Sequence, residues 1–243
     1  AEVAWKQSTG SRDVIVAVID TGIDYRHPDL VANIWRNEGE IAGNDVDDDG
    51  NGFVDDVYGY DFATDDPDPM DEHDHGTHCA GTIGAVADNN LGVVGVSPAV
   101  SLMAVQFLDK GGSGRISDAI SAIYYAVDNG ANILSNSWGR RGGDPIPEME
   151  AAIKYARDKG VLFIAAAGNS GSDNDQYPHW PSNYEVENVI SVAASNRRDE
   201  LASFSCYGSN TVHLAAPGRH ILSTVSGGGF DSFSGTSMAT PHV

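Results

Sequence analysis

The chain has 243 residues, 41% of them apolar, enough for a sizeable core. Its formal net charge of −21 argues against nucleic acid as a partner. No apolar run approaches the ~18 residues that a membrane-spanning helix needs. In chain order, residues 13–20 read Asp-Val-Ile-Val-Ala-Val-Ile-Asp, a β-branched run suited to a parallel strand covered on both faces. Residues 38–74 hold 15 acidic residues and no Lys or Arg. Such a stretch is either a solvated, repulsive surface or a place where cations gather. A helix is predicted from His75 through Val86, and a strand over 100–105. Ile116, Ala119, Ile120, Ile123 and Val127 form one apolar helical stripe, which Gly130 stops. A strand over 131–134 follows. Met149, Ala152, Ile153 and Ala156 repeat the helical pattern, with Lys159-Gly160 as the end signal. Residues 161–166 and 189–193 read as further strands, and Ser237 opens the last helix.

Strands alternating with helices predict an α/β fold: a doubly wound, mostly parallel sheet with helices on both faces. No linker or repeat divides the chain, so residues 1–243 read as a single domain. No signal peptide is visible, and a processed N-terminus is expected. Two cysteines, Cys79 and Cys206, make no disulfide framework and read as free, buried residues.

Three segments carry reactive side chains: Val18-Ile19-Asp20-Thr21-Gly22, His75-Gly76-Thr77-His78 and Gly235-Thr236-Ser237-Met238-Ala239-Thr240-Pro241. A hydroxyl is a poor nucleophile at neutral pH. It needs a base within hydrogen-bond reach and a third group to orient that base. Asp20 closes the first predicted strand, whereas His75 and Ser237 each open a helix. In a doubly wound sheet, sites gather at such ends. Zinc chemistry at His73, His75 and His78 is disfavoured, because the spacing is not His-Glu-x-x-His and no third ligand is evident.

Asp47-Asp48-Asp49-Gly50-Asn51-Gly52-Phe53-Val54-Asp55-Asp56 matches the opening of a calcium loop. Asp47, Asp49 and Asn51 take positions one, three and five, Gly52 the turn at six, and Phe53 offers its carbonyl at seven. Tyr58 stands where the pattern has Glu, so Asp56 is the substitute ligand. A register starting at Asp45 puts Asp56 at position twelve but fits Asn51 and Phe53 less well. The loop, at about residues 43–58, reads as an insertion.

With these motifs the chain resembles the subtilisin-like serine proteases, the subtilases, from Trp5 to Val243. The resemblance implies a serine endopeptidase that cleaves polypeptides through an acyl-enzyme. Ser237 would be the nucleophile, His75 the general base and acid, and Asp20 the group that orients the imidazole. Asn169, in Ala165-Ala166-Ala167-Gly168-Asn169-Ser170-Gly171, would donate to the oxyanion with the Ser237 N–H; read alone, that segment is a strand ending in a turn. Gly112-Ser113-Gly114 and Ser137-Trp138-Gly139 match the segments that sandwich an extended peptide, although residues 111–114 also read as a flexible loop. Ile116 and Trp138 would shape the pocket for the residue four before the cut. Ala166, Ala167 and Gly168 would line a wall of the pocket for the residue just before it. Residues 177–181 would form that pocket's rim, with Trp180-Pro181 a candidate cis peptide. A broad apolar preference is expected there.

The resemblance further implies calcium as a stabilising ion, a propeptide in the precursor, a secreted or lumenal location, and a monomer. Asp61, Asp66 and Asp68 read equally as a second calcium site or a solvated loop. The loop at 87–93 is a residue shorter than the family's calcium-binding version and predicts no site. The family domain starts earlier and runs further, so a form cut short at both ends is expected. The reading from another class is a catalytically silent domain that binds a peptide or protein partner.

Overall fold

The computed structural model describes residues 2–243. A short helix α1 (Glu2–Trp5) leads into β1 (Gly10–Asp20), a 3₁₀ turn (Val31–Asn33), β2 (Gly59–Asp61) and α2 (His75–Gly84). Then come β3 (Ala99–Gln106), α3 (Ile116–Asp128), β4 (Ile133–Asn136), β5 (Arg140–Arg141) and α4 (Pro147–Asp158). The last part holds β6 (Leu162–Ala166), β7 (His179–Trp180), β8 (Val189–Ser195), β9 (Leu214–Pro217), β10 (Ile221–Val225), β11 (Gly229–Phe233), α5 (Thr236–Ala239) and a 3₁₀ turn (Thr240–His242).

Seven strands form one parallel sheet in the order β2-β3-β1-β4-β6-β8-β9. Two antiparallel pairs, β10 with β11 and β5 with β7, stand apart from it. The expected doubly wound sheet is therefore present. Its strand β1 shows why the sequence reads as an unbroken apolar run. Ala17 and Ile19 enter the core beneath α3 and α4, while Val16 and Val18 enter the core beneath α2 and Met238 of α5. Alternate side chains of one strand thus feed two cores, which is what burial on both faces requires. Ile123 and Ile153, from the two predicted stripes, are fully buried against the first core. Truncating either to Ala would cost about 2–5 kcal/mol.

Two strands begin later than the sequence suggests, for one shared reason. At the end of α3, the Ala131 N–H donates to Ala126 O and the Gly130 N–H to Val127 O, with Gly130 at φ 84°. At the end of α4, the Val161 N–H donates to Ala156 O and the Gly160 N–H to Arg157 O, with Gly160 at φ 77°. Both are Schellman caps. Ala131 and Val161 are therefore consumed in closing helices, and β4 and β6 start at Ile133 and Leu162. Strand order reverses at β1, which has β3 on one side and β4 on the other. Its carboxyl end, Asp20, stands at the switch point where such sheets hold their sites.

Candidate active site

Asp20 is fully buried at the end of β1. Its Oδ1 accepts from His75 Nδ1 at 2.7 Å and from the Thr21 N–H at 2.8 Å. His75 opens α2, and the helix reaches this place because residue 76 is glycine. A Cβ on Gly76 would lie 2.0 Å from Gly22 O. Burial pulls the His75 pKa down, but the charge and hydrogen bond of Asp20, with the charge of Asp71, outweigh it and the net shift is upward.

Asp71 carried no motif signal, yet it ties this corner together. It is buried, with Oδ1 accepting from Thr21 Oγ1 (2.9 Å), His73 N (2.8 Å) and Asp74 N (3.1 Å). Its Oδ2 accepts from Thr77 N (2.9 Å) and Thr77 Oγ1 (2.7 Å). Thr21 Oγ1 in turn accepts from the Gly76 N–H at 2.9 Å. One carboxylate therefore fixes both the turn after Asp20 and the helix start at His75. Between them Asp74 sits at φ 84°, a left-handed conformation that costs a non-glycine residue energy. It is held there by the Asp71 bond and by the Ser226 N–H, which donates to Asp74 Oδ1 at 3.0 Å.

Ser237 lies in the first turn of α5. Its Oγ donates to Ser137 O at 2.9 Å, and its carbonyl accepts from Ser137 Oγ at 2.9 Å and lies 3.5 Å from Cys79 Sγ. Cys79 is one turn beyond His75 on α2, so the helices that carry His75 and Ser237 touch. The Cys79 thiol is fully buried, and burial pushes its pKa far up, which leaves it protonated and inert. Asn169, just after β6, closes the group. Its Oδ1 accepts from Thr236 N (2.8 Å) and Thr236 Oγ1 (3.0 Å). This directs the Asn169 amino group toward Gly235, where Nδ2 and the Ser237 amide lie 3.5 and 3.6 Å from the position a Gly235 Cβ would take.

Next to His75 runs a cleft of about 590 Å³. Gly112, Ser113, Gly114 and Ile116 line one part of it, and Ser137, Trp138 and Gly139 another. Ala166, Ala167 and Gly168 are not among its lining residues. The first two are buried, and Asn174 Nδ2 donates to Ala167 O at 2.8 Å. The Trp180-Pro181 bond is cis. His73 and His75 meet edge to face with ring centroids 6.3 Å apart, and His78 turns away from them. His78 donates from Nε2 toward Ile221 O and Asp231 O and stacks on Phe233 with ring centroids 4.4 Å apart. Burial lowers its pKa.

Among the acidic residues, Glu40, Asp49 and Asp56 bring carboxylate oxygens within 4.8 Å of one another. Asp56 is fully buried, accepts from Tyr125 Oη at 2.6 Å, and has its pKa raised by burial. Asn51 Nδ2 donates to Asp49 and Asp56, at 3.3 and 3.0 Å. Asp47 instead spends both oxygens on backbone, from Gly50, Asn51 and Gly52. Phe53 packs its ring on Tyr60, Phe62 and Tyr125. Glu40, absent from the sequence reading, precedes Asp47 by seven residues and belongs to no spacing rule. Of the other acidic candidates, Asp61 and Asp66 meet at Thr64 Oγ1, whereas Asp68 turns to Tyr25.

Residues 11–243 match the profile of the subtilase family, peptidase S8. The chain belongs to the subtilase family. It is 42% identical over 242 residues to the thermophilic serine proteinase of Bacillus sp. (strain AK1), covering 100% of this chain and 53% of that protein. It is also 42% identical over 246 residues to the intracellular serine protease of Paenibacillus polymyxa, covering 100% of this chain and 68% of that one. This subtilase chain therefore spans about half the length of the first of these relatives. Among solved structures, a cold adapted subtilisin-like serine proteinase superposes with a TM-score of 0.74 at 32% identity, covering 96% of this chain and 73% of that one. Both relatives and the solved structure are named as serine proteinases or proteases, and the superposition takes in nearly the whole fold described above.

Proposed function

We propose that this subtilase chain is a serine endopeptidase catalytic domain whose reaction runs through Asp20, His75, Ser237 and Asn169. The observation that carries the reading is the 2.7 Å bond from His75 Nδ1 to a fully buried carboxylate, on a helix whose Cys79 meets the Ser237 carbonyl. Asp20 fixes the tautomer in which Nε2 is free to take a proton. Ser237 Oγ leaves its resting bond to Ser137 O and attacks the carbonyl carbon of the scissile bond. Its proton passes to His75 Nε2, and the carbonyl oxygen becomes an oxyanion held by Asn169 Nδ2 and the Ser237 N–H. The imidazolium then gives that proton to the departing amine, leaving the acyl-enzyme. Water, deprotonated by the same imidazole, releases the acid product. Polypeptide lies extended in the cleft between residues 112–114 and 137–139, whose backbones pair with it.

Calcium belongs to this reading. Glu40, Asp49 and Asp56, with Asn51 and the Phe53 carbonyl, would hold it. Glu40, Asp49 and Asp56 crowd hard carboxylate oxygens together, no Lys or Arg occurs in 38–74, and an ion there would be met by the Asn51 oxygen once its amide turns over, since its amino group now faces Asp49 and Asp56. The ion would supply charge compensation that orders the loop. It takes no part in the proton transfers. Asp47 organises the turn through its backbone bonds. A propeptide-bearing precursor, action as a monomer and an extracytoplasmic location complete the reading. No helix among the described residues is long and apolar enough to cross a membrane.

The test is Ser237→Ala. Peptide cleavage by the parent and its loss in a folded variant are expected; unchanged cleavage in the variant contradicts the reading.

A further inference from the structure

We propose that His78 is a positioning residue for this reaction. Its ring clamps α2, which carries His75, to the β10–β11 hairpin, which runs into Ser237, and so fixes the gap that the proton crosses. The proposal rests on the protease reading above and adds a residue to its machinery.

The ring reaches both sides of that gap. His78 lies less than one turn beyond His75 on α2. It is fully buried, with Nε2 3.0 Å from Ile221 O and 3.2 Å from Asp231 O. Both partners are carbonyls, so Nε2 carries the hydrogen and donates. Ile221 opens β10 and Asp231 lies in β11, so one N–H spans the two strands of the hairpin. The ring also stacks on Phe233, with the planes 8° apart. Phe233 closes β11, and only Ser234, Gly235 and Thr236 separate it from Ser237.

The hairpin grips α2 from its own side as well. Ser223 Oγ donates to His78 O and Thr224 Oγ1 to Thr77 O, each at 2.8 Å. A Cβ on Gly81 would lie 2.5 Å from Ser223 Oγ and 2.2 Å from Thr224 Oγ1, so this approach needs glycine there. Among the described residues, the hydrogen bond from α2 to residues 236–239 comes from the Cys79 thiol, a weak donor, at 3.5 Å. The strong directional bonds that set α2 against the Ser237 segment therefore run through the hairpin. His78 stands at its open end, beside the paired residues Ile221 and Phe233. Stability alone does not call for an imidazole at this place. Its Nδ1 is buried without a partner, a cost that an apolar side chain would avoid. What the imidazole adds is a donor of fixed direction that joins two strands.

The experiment measures kcat and KM on one peptide for two variants. His78→Phe keeps a flat ring and loses the Nε2 bonds, and His78→Gln restores a donor. His78→Phe is expected to lower kcat about tenfold or more with KM within about twofold of the parent, as misplaced reacting groups do. His78→Gln is expected to fall between His78→Phe and the parent. The double variant Ser223→Ala, Thr224→Val leaves His78 in place, is expected to lower kcat in the same way, and decides the matter where His78→Phe does not fold. Ile153→Val, a core truncation on the other face of the sheet, is the control, expected to lower Tm and leave kcat unchanged. Parent kcat in folded His78→Phe or in the double variant overturns the proposal. So does His78→Gln no better than His78→Phe, a loss carried by KM alone, or an equal kcat loss in Ile153→Val. Labelling of Ser237 by a serine-directed phosphonate runs alongside. A parent that labels and cleaves beside variants that keep its kcat overturns only the proposal, whereas a parent that neither labels nor cleaves overturns the protease reading and the proposal together.

Discussion

Asp71 and Asp56 are both buried carboxylates, and they are held in opposite ways. Asp71 accepts five hydrogen bonds, all from the chain's own hydroxyl and amide donors. Asp56 has donors too, from Tyr125, Asn51 and Asn37, but it also faces Asp49 and Glu40. Burial raises both pKa values. The Asp71 corner is complete in itself, because a buried charge met by donors needs nothing further. The Asp56 cluster carries carboxylate repulsion that a cation from solution would remove. Catalytic geometry and loop stability should therefore respond to different perturbations.

The largest expected effect lies on the catalytic side. Asn169→Ala should lower kcat about 10²- to 10³-fold with KM little changed, the loss that removing such an oxyanion donor causes in related enzymes. Steady-state kinetics on one peptide checks it; an equal rise in KM with kcat intact would place Asn169 in substrate binding instead. Next comes Asp71→Asn, with an expected fall of about tenfold in kcat/KM, typical of lost positioning. It should also carry a pH signature. Asp20 and Asp71 raise the His75 pKa, and catalysis needs the neutral imidazole. Removing the Asp71 charge lowers that pKa, so the acid limb of kcat/KM moves to lower pH. A plateau that drops while the limb stays put would make Asp71 purely structural.

The smaller effects lie in the acidic loop. Calcium at about 100 times its Kd should add about 2.7 kcal/mol, or very roughly 5–10 °C in Tm for a chain of this size. Chelation should remove that increment, and Glu40→Gln with Asp56→Asn should abolish the response. A Tm indifferent to chelation in the parent would end the calcium reading. Because burial raises the Asp56 pKa and the ligand must be ionised, the calcium increment should fade, as pH falls, above the ordinary carboxylate range. The Asp71→Asn limb shift should be the same with and without calcium. Dependence of that shift on calcium would join the two regions that the comparison separates.

Much of this was legible in the chain because it is local. Period and end signals located α3, α4 and the inner strands, and short motifs singled out Asp20, His75 and Ser237 as candidates. What failed to show was decided by contacts across the sequence. Ala131 and Val161 look like strand residues by composition, yet the caps of α3 and α4 claim them. Strand β2 lies within an acidic stretch and exists because Gly59–Asp61 pairs with β3. The β10–β11 hairpin was also missed; its serines and threonines reach back to α2, where Ser223 and Thr224 bond the carbonyls of His78 and Thr77. Asp71 precedes His75 by only four residues, but its role depends on Thr21, 50 residues away. Metal-loop spacing pointed to Asp49 and Asp56, while Glu40 joined them through the folding of the loop.

The most direct measurement is peptide mapping after reaction with a serine-directed phosphonate, with the rate of labelling followed against pH. One label per chain is expected, on Ser237, at a rate that rises with an apparent pKa above that of a free histidine and collapses in His75→Ala. A label on another serine, or a rate on Ser237 that His75→Ala leaves unchanged, would contradict a hydroxyl activated by the Asp20–His75 pair.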